Sequence, residues 1–217
     1  MTLSRDNIFC CLVACSLLFS ANAFSSDTDA AIKQRMGEGD PEVGQTASQL
    51  CQGCHGEDGN SLEGLIPKLA GQYSVYLSKQ FRNYQTGERE HQIMSAMSAI
   101  ISDAELKNIT AYFSSQKQMS GGGGSGNPVG KKLFTQGDVP RGVLPCEGCH
   151  GVNGKGQAPD VSTYPVIGGQ QKDYLRAQLN NWRSGKRTNS VGGVMNNIAK
   201  SLTDAEIEAL ADYISRL

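Results

Sequence analysis

Apolar residues recur at Leu106, Ile109 and Phe113, and again at Ile207, Leu210 and Ile214, each time at i, i+3 and i+7. That spacing draws one apolar stripe along one face of an α-helix. Each stripe follows a capping box, Ser102-x-x-Glu105 or Thr203-x-x-Glu206, in which hydroxyl and carboxylate satisfy the first free amides of a helix. Further helices are predicted over Tyr73 to Thr86 and Gln171 to Ser184, closed by Gly87 and Gly185, which accept the left-handed conformation of a helix end. Asp40-Pro41 and Asn127-Pro128 set a cap residue before a proline at the first helical position, and the first of these helices runs towards Cys51. No convincing period-two alternation marks a strand, so the fold class is all-α.

The pattern is also a repeat. Cys51-Gln-Gly-Cys54-His55-Gly56 returns as Cys146-Glu-Gly-Cys149-His150-Gly151, and Pro67 to Arg89 matches Pro165 to Arg187. Identities within the second match include Gln72/Gln170, Tyr76/Tyr174, Gln80/Gln178 and Gly87/Gly185. Met94 pairs with Met195 and Tyr112 with Tyr213. Between the halves, residues 120–126 form a Gly-rich stretch whose composition gives a flexible linker or tight turn. The expected organisation is an export signal over residues 1–23, one domain over 24–119, the linker, and a second copy over 127–217.

Composition adds a deficit. The 217 residues are 38% hydrophobic and 6% aromatic, with 26 glycines. Units of roughly 100 residues with so little apolar mass usually depend on a staple, a metal or a cofactor. Charge is balanced, 20 basic against 21 acidic residues, which argues against an electrostatic nucleic-acid binder. No run of about 20 apolar residues exists, so no transmembrane helix is expected in the mature chain. The N-terminus carries Arg5, the apolar stretch Ile8 to Phe19 and a small-x-small site at Ala21-Asn22-Ala23, the layout of a secretory signal. Leu12-Val13-Ala14-Cys15 also resembles a lipoprotein processing box, which would leave Cys15 acylated and the protein lipid-anchored.

Of seven cysteines, Cys10, Cys11 and Cys15 belong to the leader, leaving Cys51, Cys54, Cys146 and Cys149. Four cysteines in an exported protein ordinarily suggest two disulfides. A thioredoxin-like pair would need a βαβ setting, and structural zinc would need four convergent ligands. Here each pair is complete in its own repeat and is followed directly by a histidine. Cys-x-x-Cys-His is the attachment signature of c-type haem. Thiols one helical turn apart can each form a thioether with a vinyl group, and the adjacent histidine, His55 or His150, lies under the iron. Two covalently bound haem c groups are therefore expected.

The sixth iron ligand separates an electron carrier from an enzyme with an open iron. Between residues 127 and 217 the only histidine is His150 and the only methionine is Met195, so Met195 has no rival there. The repeat transfers that role to Met94. Met97 maps onto Ile198 and reads as core, and His91 maps onto Gly192 and reads as a surface or pocket residue, although bis-histidine ligation through His91 stays open. His/Met ligation favours the ferrous state, raises the potential relative to bis-His and closes the iron to small ligands. A carbonyl near Pro67 or Pro165 is a candidate partner for the histidine Nδ1–H. Tyr84 and Trp182 are candidates for propionate contacts or plain packing, and Arg89 and Arg187 read first as solvated surface charge, with propionate pairing as the alternative.

These motifs resemble the cytochrome c4 family, tandem class I cytochrome c domains exported with two haems. The resemblance rests on Cys51-x-x-Cys54-His55-Gly, Pro67-Lys-Leu-Ala-Gly-Gln72, Met94, Ser102-Asp-Ala-Glu-Leu and the second set around Cys146, His150 and Met195. It implies His/Met ligands on both irons, haems approaching across the domain interface, and periplasmic electron delivery between a quinol-oxidising complex (a quinol-cytochrome c reductase) or a dehydrogenase and a terminal oxidase. The second repeat departs from the pattern in a longer His150–Pro165 segment and in Ser190-Val-Gly-Gly before Met195. A dihaem subunit of a larger dehydrogenase, such as a sulfide-oxidising flavocytochrome, shares the same motifs, and a two-haem peroxidase would need an open sixth position. Residues 24–119 carry 8 basic and 12 acidic side chains, net −4, and residues 127–217 carry 11 and 8, net +3. Such a dipole suits transient docking on charged redox partners, one pole to each.

Overall fold

The computed structural model describes residues 23–157 and 164–217. The expected export signal, up to Asn22, and Cys15 lie outside the described residues, as do residues 158–163 of the longer His150–Pro165 segment. The described residues contain helices and no strand; a single isolated bridge pairs Asp138 with Val143.

The first half runs α1 (Ala23–Met36), α2 (Pro41–Ala47), α3 (Gln49–His55), α4 (Ser74–Thr86), α5 (Gln92–Ser98) and α6 (Asp103–Ser115). The second half follows with α7 (Pro128–Thr135), α8 (Glu147–His150), α9 (Lys172–Ser184), α10 (Val194–Lys200) and α11 (Asp204–Arg216). The expected helix starts are present: Asp40 accepts the amides of Glu42 and Val43, and Asn127 those of Val129 and Gly130. Both capping boxes form, Ser102 with Glu105 and Thr203 with Glu206. Gly87 and Gly185 close α4 and α9 in the left-handed region, at φ 78° and 76°.

Three helices go beyond the sequence expectation. Helix α1 has no clear apolar stripe and docks on α6, where Arg35 Nε donates to the Ser114 carbonyl at 2.9 Å. Helices α5 and α10 are only seven residues each. Such lengths are marginal in isolation, so these helices depend on tertiary packing.

In each half the first cap-proline helix crosses the last helix, α2 on α6 and α7 on α11. The stripes Leu106, Ile109, Phe113 and Ile207, Leu210, Ile214 are buried against these crossings. The approach is close enough to demand glycine. A Cβ on Gly44 would sit 2.0 Å from the Asn108 carbonyl oxygen, and one on Gly130 would sit 2.0 Å from that of Ala209. Ala should gain up to about 1 kcal/mol in helix propensity, but overpacking against a backbone that cannot rotate away costs about 1–3 kcal/mol. Gly130→Ala is expected to lower stability by a net of up to about 2 kcal/mol, read as a lower midpoint in chemical denaturation of the mature protein.

The halves meet along a seam made of both. Tyr73 and Met119 from the first half pack with Val166 from the second as a small buried cluster, edged by Tyr76. Lys68 Nζ donates to the Gly169 carbonyl at 2.8 Å, and Lys155 Nζ to that of Met119 at 2.9 Å. The Gly-rich stretch forms no element, yet the Gly121 and Gly123 amides donate to the Leu217 and Arg216 carbonyls at 2.7 and 3.1 Å. Its backbone thereby satisfies acceptors at the end of α11.

Candidate functional site

The Cys-x-x-Cys-His motifs sit at the ends of α3 and α8. All four cysteines, Cys51, Cys54, Cys146 and Cys149, are free thiols. Gly56 and Gly151 then turn the chain at φ 87° and 79°, and a Cβ on Gly151 would lie 1.9 Å from the Gly156 carbonyl oxygen. Only glycine permits so sharp a return immediately after the histidine.

His55 and His150 are buried, 8% and 7% exposed. The Nδ1–H of His55 donates to the Pro67 carbonyl at 2.8 Å, and that of His150 to the Pro165 carbonyl at 2.8 Å. That bond places the proton on Nδ1 and leaves the Nε2 lone pair available to a metal. Burial lowers both histidine pKa values, against a smaller opposing effect of the carbonyl bonds, so the rings are neutral. Burial pushes the Cys51 thiol up and the Cys146 thiol up to about 12, so before haem attachment neither is favoured as a thiolate.

Met94 lies in α5 and Met195 in α10, both partly buried. Different residues start the two helices. His91 is the N-cap of α5, its ring accepting the Met94 amide at 3.3 Å, whereas the Met195 amide donates to Ser190 Oγ at 3.3 Å. His91 is exposed, as a surface residue should be. Ile198, the counterpart of Met97, packs against the core of the second half. In each half the donor set is thus two thiols one turn apart, a neutral buried imidazole with Nε2 free, and a thioether on a separate short helix. That set fits haem c.

Arg89 and Arg187 depart from expectation. They are not solvated surface charge but are buried at the seam, 8% and 6% exposed. The Arg89 guanidinium lies 4.8 Å from the Tyr84 ring centre, and that of Arg187 lies 4.1 Å from the Trp182 ring. Arg89 donates to Gln80 at 2.7 Å and across the seam to Tyr174 at 2.9 Å and Gln178 at 3.1 Å. Arg187 mirrors it, donating to Gln178 and Gln80 at 2.8 Å each and to Tyr76 at 3.3 Å. Neither is among the ion pairs of the described residues. In the sequence Gln80/Gln178 and Tyr76/Tyr174 stand out only as repeat identities. Polar residues retained in both copies on otherwise ordinary helix faces were the available signal of a seam.

The family model for cytochrome c matches residues 42–117 and 129–217. The cytochrome c4 of Stutzerimonas stutzeri is 40% identical over 193 residues, covering 82% of this chain and 90% of that protein. A thiosulfate dehydrogenase electron acceptor of Stutzerimonas stutzeri (strain A1501) is 32% identical over 176 residues, covering 79% of this chain and 80% of that protein. The crystal structure of reduced recombinant cytochrome c4 from Pseudomonas stutzeri superimposes with a TM-score of 0.76 at 39% identity, covering 82% of this chain and 99% of that one. Two helical cytochrome c domains, each with its own Cys-x-x-Cys-His turn, and this extent of similarity mean that the chain belongs to the cytochrome c4 family, dihaem electron-transfer cytochromes with two covalent haem c groups.

Proposed function

We propose that Cys51 and Cys54 hold one haem and Cys146 and Cys149 the other, with His55 and His150 as proximal and Met94 and Met195 as distal iron ligands. The observation that carries this reading is the matched pair of buried histidines whose Nδ1–H groups are fixed on proline carbonyls. Each haem, when bound, supplies one reversible electron at its iron. The chain's part is to hold that iron at a useful potential and to deny it other ligands. The thioethers favour the ferrous state, and the carbonyl bonds fix ring orientation and tautomer. Arg89 and Arg187, buried without a carboxylate partner among the described residues, are two positive charges that would suit the carboxylates of a bound haem.

The protein then works as an exported, periplasmic carrier, residues 1–23 removed and the domains spanning 24–119 and 127–217. It accepts electrons from a dehydrogenase or quinol-oxidising complex and passes them to a terminal oxidase. A relative described as a thiosulfate dehydrogenase electron acceptor supports a dehydrogenase as donor. The unequal halves, net −4 and +3, support docking by opposite poles. An optical redox titration of the mature protein is expected to resolve two one-electron centres and the methionine–iron charge-transfer band in the oxidised state. A single centre, or no such band, would remove the ligand assignment. Transfer rates to partner proteins should fall as salt screens the poles; rates indifferent to salt would remove the dipole argument.

A further inference from the structure

We propose that Gln72 and Gln170 are positioning residues that act in trans, each tuning the proximal histidine of the other half across the seam. Both side chains are buried, 3% and 5% exposed. Gln72 reaches into the second half: its Oε1 accepts the Val166 amide at 2.9 Å and its Nε2 donates to the Val166 carbonyl at 2.8 Å. Gln170 returns the contact, accepting the Lys68 amide at 2.8 Å and donating to the Lys68 carbonyl at 2.9 Å. The amide of Lys68 belongs to the same peptide group as the Pro67 carbonyl, which accepts the His55 Nδ1–H. The amide of Val166 likewise shares a peptide group with the Pro165 carbonyl, which accepts the His150 Nδ1–H. Two chains of hydrogen bonds result, His55–Pro67/Lys68–Gln170 and His150–Pro165/Val166–Gln72, and each starts in one half and ends in the other.

A peptide whose N–H is bonded to an acceptor becomes a stronger acceptor at its own oxygen, because chains of hydrogen bonds polarise one another. The stronger acceptor draws on the histidine Nδ1–H and raises the basicity of Nε2. A more basic ligand stabilises ferric iron relative to ferrous iron. Each glutamine therefore holds down the potential of the haem in the opposite half, and the two-point amide pairing fixes the plane of the peptide through which it acts. Because each domain completes the other's ligand environment, separating the halves should alter both potentials.

The inference rests on His55 and His150 as iron ligands, and the test distinguishes the two ideas. Oxidised wild-type protein labelled with ¹⁵N-histidine must first show two of its three histidines strongly hyperfine-shifted; if it does not, the ligand assignment fails. Gln72→Met and Gln170→Met, close in shape and lacking the acceptor, are then compared in the mature dihaem protein. In the reduced state Gln72→Met is expected to move the His150 Nδ1–H signal upfield, leave that of His55 in place, and raise the potential of the haem at Cys146 and Cys149 in an NMR-monitored titration. Gln170→Met does the reverse, with His91 as internal reference. Gln72→Glu and Gln170→Glu, which keep an acceptor oxygen, hold the opposite histidine at or downfield of its wild-type position. A shift confined to the variant's own half, equal shifts in both halves, or none would overturn the proposal. One measurement needs no variant: couplings through the hydrogen bonds from Val166 ¹⁵N to Gln72 Cδ and from Lys68 ¹⁵N to Gln170 Cδ in wild-type protein, whose absence would also overturn it.

Discussion

Met195→Ala is expected to leave a folded dihaem protein in which one haem, and only one, binds carbon monoxide when reduced. No second methionine and no histidine other than His150 occurs between residues 127 and 217, so nothing in that half replaces the lost thioether. Alanine is the better helix former, which lets α10 persist. The potential of the affected haem should fall by an amount on the order of 0.1 V, a fraction of the roughly 0.8 V over which axial ligands act. The methionine–iron band should lose about half its amplitude, since two equivalent centres contribute to it. Met94→Ala is expected to behave differently. His91 and Met97 lie three residues to either side of Met94, and α5 is held by the His91 ring itself. That half has substitutes within one helical turn, so its carbon monoxide binding should be weaker than in Met195→Ala. Unchanged spectra in Met195→Ala would refute the ligand assignment.

Removing the thioether anchors should cost structure rather than tuning. In Cys146→Ser/Cys149→Ser the second half is expected to lose its cooperative melt and with it about two-fifths of the helical circular dichroism, its share of the helical residues. The reason is arithmetic. A haem buries several hundred Å² of apolar surface, worth on the order of 10 kcal/mol at about 25 cal/mol per Å², which is comparable with the whole stability of a small domain, roughly 5–15 kcal/mol. The chain is only 38% hydrophobic, and α8, which carries the motif, is four residues long. Such a helix does not stand without what it packs on. Limited proteolysis should cut the second half first and spare the first. A colourless variant that kept full helicity and a cooperative transition would show that the polypeptide core suffices.

Much of this was legible in the residues. The capping boxes, cap-proline starts and left-handed glycines are local devices, decided within four or five positions, and each formed where its pattern stands. The weak α1, and α5 and α10 with their seven residues each, were not legible, because their stability comes from what they dock against. Arg89 shows the same limit at the site. Its sequence neighbours Glu88 and Glu90 suggest a solvated charge run, and only the approach of Tyr174 and Gln178 from the other half buries it.

The sequence by itself determined an all-α chain of two like halves, each with a haem-attachment turn and one methionine marked out by the repeat. These features depend on backbone propensity and on residue types at short fixed spacings, which a linear pattern records. Tertiary structure alone decided that Gln72 meets Val166 and Gln170 meets Lys68, and that two arginines share two glutamine oxygens at the seam. Those partners stand roughly a hundred positions apart, and their meeting depends on how two rigid surfaces dock, a geometry that no local preference encodes.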